Sequence, residues 1–521
     1  MDSESIEIAG RKVTKADGDA TPESVKLVIE DFHGMIGVLT QRVSNLEEKL
    51  NKNSKNSSIP PSKNGFGGGK KVERKEVKRA TKQRIKQETS EQKLYPVEEC
   101  QEIHEEKPQA CTQCGEKLQG EDPEPYRHQI IEMPIVRPDV VEYRLHELEC
   151  EHCGTKTRAE LPAGVTPKSY GQGLAAWIAI LSSEYRQSYR QVERLLAELC
   201  GVELSRGTIG RARSEINAAV ESATISAQEY VQQQPVVNVD ETGFKQYNGD
   251  GQNPGKKRGW LWVVVTPLVS FFTVALSRSQ ATAQAILGNY TGLVGSDRCP
   301  SYGWLENDHR QVCWAHLLRD FQAMAERSGA SCEIGTSLLH KGYRLFHWWH
   351  RVRDGTMSRE LFIEATNLLR AAVKAELESA INLPIGRTET TPLAKTVRTC
   401  EQLLKIEPAL WTFVDHQDLE PTNNVAERAL RPAVIWRMQS RRGFLGVRCT
   451  KQRNTSFGSQ SQGGSEFVSR MLTVSSSLKA QSRSVLDFLT QSCQASRLGT
   501  TPPTLIPMSE PTLSNERIIL L

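Results

Sequence analysis

Three acids and four cysteines in this 521-residue sequence have the types and spacing that chemistry requires. Asp240 closes the apolar run PVVNV and sits in VDET. Asp297 follows the apolar segment Leu293–Ser296, and Glu427 lies in PTNNVAERALRP. Any one such acid would ordinarily be a cap or a surface residue; the joint pattern is what suggests a site. Carboxylates brought together cannot comfortably stay ionised without a cation, and hard oxygen ligands suit Mg²⁺ or Mn²⁺. Two ions held by Asp240, Asp297 and Glu427 would activate water or a 3′-hydroxyl and stabilise the leaving oxygen of a phosphodiester. The cysteines fall in two CxxCG knuckles, Cys111 with Cys114 and Cys150 with Cys153. Four thiolates complete a tetrahedral Zn²⁺ sphere, so this site is expected to be structural rather than catalytic.

These residues need elements to hold them. The segment ending at Asp240 reads as a strand, followed by strands at Arg258–Thr266 and Ser270–Ser277 and a helix at Ser279–Asn289. A fourth strand, Leu293–Ser296, ends in Asp297. A fifth at His309–Ala315 leads into a helix at His316–Ala325. Order β-β-β-α-β-α-β-α, with acids at the ends of strands one and four, predicts a ribonuclease-H-like catalytic core over 231–325 with those two strands adjacent. Residues 326–415 have helical periodicity and read as an all-helical insertion with Trp348 and Trp349 in its core. The core is completed over 416–495, where Asn423 and Asn424 are placed to cap the helix bearing Glu427. Arg428 and Arg431 on that helix are candidates for DNA contact. Cys313 and His316 read as packing residues that orient the acids.

Upstream, residues 1–24 read as disordered. Apolar residues recur at spacings of four and three from Val25 to Leu50, predicting a coiled-coil helix over 25–50 and a homo-oligomer. A basic linker covers 51–95, and the zinc-binding domain 96–165, with strands between its knuckles. Residues 166–230 read as a helix-turn-helix region: a helix at Tyr189–Leu199, a turn at Gly201, and a helix capped by Ser205. That second helix offers Arg206, Thr208, Arg211 and Arg213 to DNA. A flexible tail is expected over 496–521. Lys and Arg number 66 against 62 acids, so charge distribution matters more than the sum. Twelve cysteines in this length do not make a disulfide scaffold. The N-terminus lacks an export pattern, and Pro267 and Ser270 interrupt the most apolar stretch, Trp260–Leu276. A cytoplasmic protein without membrane spans is expected.

The sequence resembles the insertion-sequence-66 family of bacterial transposases, in the DDE superfamily. The resemblance runs from about residue 25 to about 508 and rests on NSSIPPS, CTQCG and CEHCG, VDET (239–242), SDRCPSYGW (296–304), CWAHLLRDF (313–321) and PTNNVAERALRPAVIWR (421–437). It implies that Asp240, Asp297 and Glu427 are the catalytic triad. It also implies Mg²⁺-dependent cleavage at the element's terminal inverted repeats and joining of the 3′-OH to target DNA. Companion proteins of the same element and a nucleoid location are further implications. One departure stands out: residues 438–454 form an insertion before TSFG, which would be tolerated as a surface loop but would inactivate the enzyme if it displaced Glu427. The alternatives are an inactive copy, a nuclease that cuts without joining, and a zinc and helix-turn-helix DNA-binding regulator that does no chemistry.

Overall fold

The computed structural model describes residues 5–8, 11–14, 94–438 and 459–507. The heptad run at 25–50, most of the basic linker and nearly all of the insertion at 438–454 lie outside the described residues. Within 1–24, expected to be disordered, β1 (Ser5–Ile8) and β2 (Arg11–Thr14) pair antiparallel. In β1, Ile6 and Ile8 alternate with Ser5 and Glu7, a strand signal that low overall hydrophobicity obscured.

In the cysteine-bearing segment, strands were expected across 128–150. Only β3 (Glu147–Glu149) and β4 (Lys156–Arg158) form, as one antiparallel pair. The residues before them, among them Tyr126, Ile130, Met133 and Val140, are exposed. A strand needs a partner and a covered face, and this stretch has neither.

The rest folds around one five-stranded sheet. Helices α1 (Gln172–Ser183), α2 (Tyr189–Cys200), α3 (Arg206–Ala219) and α4 (Glu221–Gln232) precede it. The strands are β5 (Val236–Phe244), β6 (Gly259–Val265), β7 (Ser270–Ala275), β8 (Leu293–Ser296) and β9 (Arg310–Val312), in the order β7-β6-β5-β8-β9. The first three pair antiparallel; β5–β8 and β8–β9 are parallel. α5 (Gln280–Leu287) connects β7 to β8, and α6 (Trp314–Ala325) follows β9. Strands one and four of the sheet are thus neighbours, as the sequence pattern requires. One detail differs: β5 does not stop at the acids. It continues to Phe244, because Asp240 to Phe244 pair residue by residue with Val263 to Gly259.

The run Trp260–Val265 is apolar throughout because both of its faces are covered. Trp262 and Val264 enter a core with α1, α3 and the C-terminal helices α12 (Gln462–Ala480) and α13 (Val485–Leu498). Leu261, Val263 and Val265 enter a second core with Ala426, Leu430 and Ala433 of α11 (Asn424–Met438). The segment after α6 is helical: α7 (Ala330–Arg353), α8 (Arg359–Ile381), α9 (Pro392–Lys405) and α10 (Thr412–Asp415) share a third core that includes Trp349, with Trp348 packed on it. Both sheet edges are closed by side chains. Thr473 and Ser477 of α12 accept from the N–H groups of Phe272 and Ser270 on β7 at 2.9 and 3.0 Å. On β9, the Thr412 hydroxyl donates to the Arg310 carbonyl at 2.6 Å.

Two boundaries move. Helices α1–α4 are not a separate module, since they share a core with the sheet and with α12 and α13. The segment after Gly499, expected to be flexible, packs back: Leu505 is fully buried and its carbonyl accepts from Gln481. The lock between the helical layers is Glu215 on α3. It pairs with Lys168 at 2.6 Å and Arg497 at 2.8 Å and accepts from the Tyr170 hydroxyl at 3.0 Å. Burial pushes the Glu215 carboxyl up, but these donors outweigh it and hold its pKa at about 2. A carboxyl depressed on folding stabilises the fold above its unfolded pKa, and that stabilisation fades as pH falls toward the folded value. Glu215→Gln should therefore cost about 2 kcal/mol in a denaturant titration at neutral pH, with solvent on the open side screening the rest. The difference from wild type should shrink as pH drops from about 5 toward 3. A loss independent of pH would contradict this role.

Candidate active site

Strand alternation separates the neighbours Asp240 and Glu241. Asp240 points to the α11 face with Phe244 and, across the pair, Val263. Glu241 points to the opposite face, opposite Trp262. Asp297 follows β8, whose Gly295 pairs with Asn238, so it comes level with Asp240 on the adjacent strand. α11 is fixed to this edge at its N-terminus. The Asn423 amide group donates to the Val239 carbonyl at 2.7 Å, and the Asn423 backbone N–H donates to Cys313 Sγ at 3.2 Å. The Trp314 N–H reaches the Pro421 carbonyl at 2.9 Å. Asn423 thus anchors the helix to β5 rather than capping it with its side chain; its Oδ1 is buried without a partner among the described residues.

Each acid has one tethered oxygen. Asp240 Oδ1 accepts from the Glu241 N–H at 2.9 Å, and Asp297 Oδ1 from the Cys299 N–H at 2.8 Å. Glu427 Oε1 lies 3.1 Å from Arg319 and 3.5 Å from His316 Nε2. Burial first, then the charges of Asp297, Glu241 and Glu427, raise the Asp240 carboxyl well above the usual carboxylate range. The three acids therefore share one electrostatic neighbourhood. Their oxygens do not close into a set within 4.8 Å; the set that does, among the described residues, is Glu241, Asp297 and Cys299 on the other side. That set is a poor metal site. Arg278 holds Glu241 Oε1 at 2.5 Å, the Tyr302 hydroxyl donates to Oε2, and burial keeps the Cys299 thiol protonated. A second group, Glu306, Asp308 and His309, is exposed.

Several supporting residues carried no sequence signal. Arg278 lies 3.7 Å from Asp297 as well as on Glu241. Arg310, buried on β9, donates to the carbonyls of Asp297 at 2.8 Å and Tyr302 at 3.2 Å, fixing the turn that carries Asp297. Arg319 lies within the CWAHLLRDF segment, but only the fold places it on Glu427.

The remaining site residues are placed as follows. Arg428 and Arg431 are exposed on α11. Arg206 and Arg211 are exposed on α3, Arg206 being 3.8 Å from Glu193. Thr208 is buried and bonded to the cap residue Ser205 at 3.0 Å. Arg213 is turned inward, stacked on Tyr189 and Phe467 at 4.9 and 4.1 Å from the ring centroids.

The two cysteine knuckles form the same local turn: the Gly115 and Gly154 N–H groups reach the Cys111 and Cys150 carbonyls at 2.9 and 2.8 Å. Both glycines have positive φ, 78° and 70°, which a side chain would disfavour. The Cys114 backbone, then the Gln113 backbone and the Cys114 thiol, lower the Cys111 pKa; Thr155 and then the Cys150 thiol lower that of Cys153. The expected four-sulfur set is not assembled, however. Cys111 and Cys114 do not join Cys150 and Cys153 in one cluster within 4.8 Å, and Cys114, Cys150 and Cys153 are exposed. The physical reason is the missing strands: only the second knuckle has a strand pair beside it, and nothing packs Cys111 and Cys114 against that pair.

Among the described residues, no helix is long and apolar enough to cross a membrane. A family model described as "Transposase IS66 family" matches residues 168–446, which span the sheet, the helical insertion and all three acids. A second, described as "Family of unknown function (DUF6444)", matches residues 16–94. No curated protein matches the chain.

Proposed function

Because the chain belongs to the IS66 family of transposases, we propose that it cuts DNA at the ends of its element and joins the freed 3′-OH to target DNA, with Asp240, Asp297 and Glu427 as its catalytic acids. The observation that supports this reading is that Asp240, Asp297 and Glu427 come from neighbouring elements at the centre of the sheet, and that Asp297 and Glu427 both act on the charge of Asp240. Two lie on adjacent parallel strands, and the third lies on a helix docked to the first of those strands. The β7-β6-β5-β8-β9 order supports a ribonuclease-H-like core.

The donor set fits hard divalent cations: three carboxylates, each with one oxygen tethered, the second oxygen of Asp297 lying 3.7 Å from Arg278. Bound there, Mg²⁺ or Mn²⁺ would supply an activated water or 3′-hydroxyl and stabilise the leaving oxygen. The chain's own residues do the positioning. Asn423 and Cys313 set the start of α11, Arg310 sets the turn of Asp297, and Arg319 and His316 set the Glu427 carboxyl. Arg428 and Arg431, exposed one and four residues beyond Glu427, are placed to hold phosphates. Arg206 and Arg211 offer a second basic surface; Thr208 and Arg213 serve packing instead.

The test is a labelled duplex carrying an element end, incubated with the full chain and Mg²⁺. Nicking plus insertion supports the proposal. Nicking without insertion points to a nuclease, and binding without cutting to a regulator or an inactive copy. The two knuckles are proposed to share one structural Zn²⁺, whose binding energy would draw the Cys111–Cys114 and Cys150–Cys153 pairs together. Elemental analysis of the purified chain should give about one zinc per chain, lost in Cys150→Ser; a zinc-free wild type would contradict it.

A further inference from the structure

The hairpin joining β5 to β6 is long, and it is built rather than loose. Asn253 is 1% exposed in the middle of it. Its amide group donates to the carbonyls of Gln246 at 3.0 Å and Lys257 at 2.9 Å, and its Oδ1 accepts from the Lys257 N–H at 2.9 Å. The returning chain clamps the hairpin from outside: the Tyr247 N–H donates to the Ser459 carbonyl at 2.9 Å, and the Gly249 N–H to that of Gln460 at 2.7 Å. Between Lys245 and Arg258 the sequence has four basic residues and one acid, Asp250. That acid is occupied by backbone N–H groups, including that of Gln462 at 2.7 Å.

The framework holds Lys256, Lys257 and Arg258 exposed in a row, and none of them pairs with an acid among the described residues. Arg258 is fixed further. Its guanidinium stacks on Trp260, 4.6 Å from the ring centroid, and occupies the space that a Cβ on Gly243 would need. Arg278, already on Glu241 and near Asp297, stacks on the same ring at 4.9 Å. Cations therefore run from the hairpin along the Glu241 face of the sheet, with Arg278 reaching Glu241 and lying 3.7 Å from Asp297. Gly243 and Trp260 are paired, three residues along β5 from Asp240. That is about 10 Å.

We propose that this hairpin grips the phosphate backbone of the DNA beyond the end of β5 that carries Asp240, without reading its sequence. Lys256, Lys257 and Arg258 are the contacts. Buried Asn253 and the Trp260 ring hold them ready before DNA arrives, so little side-chain ordering opposes binding. The inference rests on the proposed DNA-cutting role and adds to it where the substrate backbone lies.

The test measures affinity of the full chain for a fluorescent mixed-sequence 30-base-pair duplex over a range of salt. All three side chains are exposed, so the combined variant Lys256→Ala, Lys257→Ala, Arg258→Gln should keep the wild-type melting temperature. Its slope of log affinity against log salt should fall by about 2 to 3. The double variant Lys374→Ala, Lys395→Ala, exposed on the helical insertion, should leave the slope unchanged. A wild-type slope in the hairpin variant, or an equal fall in the insertion variant, would overturn the proposal. Cleavage of an element-end duplex, run in parallel, separates this failure from that of the catalytic reading. A wild type that cuts, beside a hairpin variant of unchanged slope, sinks only the hairpin. A wild type that never cuts, beside a variant whose slope falls, sinks only the catalysis.

Discussion

Asp240→Asn should lower strand cleavage by at least about 10³-fold, some 4 kcal/mol of transition-state stabilisation, while duplex affinity stays within about threefold of wild type. Asparagine keeps the shape of the side chain and the oxygen that accepts from the Glu241 N–H. What it loses is the charge, the property a cation-holding ligand needs. The same change should stabilise the protein. Asp240 is buried among Asp297, Glu241 and Glu427, which raises its pKa on folding. A carboxyl raised on folding favours the folded state most below its unfolded pKa and opposes it progressively as pH rises through the folded value. At neutral pH the substitution removes that cost, so the melting temperature should rise as cleavage disappears. Loss of cleavage with a lower melting temperature would mean that Asp240 is a structural residue.

The second large effect is the response to metal. Mg²⁺ or Mn²⁺ at about a hundred times its dissociation constant should stabilise the wild-type chain by about 2.7 kcal/mol and leave Asp240→Asn almost unmoved. Burial and the neighbouring acids favour the protonated form of Asp240, so cation binding competes with protons there. Apparent affinity should therefore rise with pH, by up to about tenfold per unit below the pKa of Asp240 in the folded protein. Calorimetry in two buffers of different ionisation enthalpy measures that proton. Affinity that is flat with pH, or equal stabilisation of the variant, would place the metal elsewhere.

The strand order and the pairing of the two aspartate strands were legible because apolar runs and turns mark them: PVVNV, WLWVVV, and Leu293–Ser296 before Asp297. Glu427 was legible through its motif, not through periodicity. What sequence hid was mostly long-range. Arg278 on Glu241 and Arg319 on Glu427 join segments 37 and 108 residues apart, and no local pattern announces such pairs. Asn423 looked like a cap because caps are local; its use as a strand anchor depends on Val239, 184 residues away. The cysteine knuckles divide the same way: the turn within Cys111–Gly115 is local and forms, whereas bringing Cys114 to Cys150 needs long-range packing that the intervening stretch does not supply. The sequence also invited a separate DNA-binding module over α2 and α3. Their apolar faces are instead covered by α12 and α13, whose docking is set only when the C-terminal region returns. Arg213 illustrates the cost of reading a helix by charge alone: Phe467, from that returning region, takes it inward.

The central claim is that Asp240, Asp297 and Glu427 share divalent cations on the α11 face of the sheet. Anomalous scattering from crystals of the full chain soaked in Mn²⁺ tests it directly. The account predicts density about 2.1 Å from carboxylate oxygens of all three residues, with Glu427 drawn off Arg319. Density between Glu241, Asp297 and Cys299 instead, or none near Asp240, would contradict it.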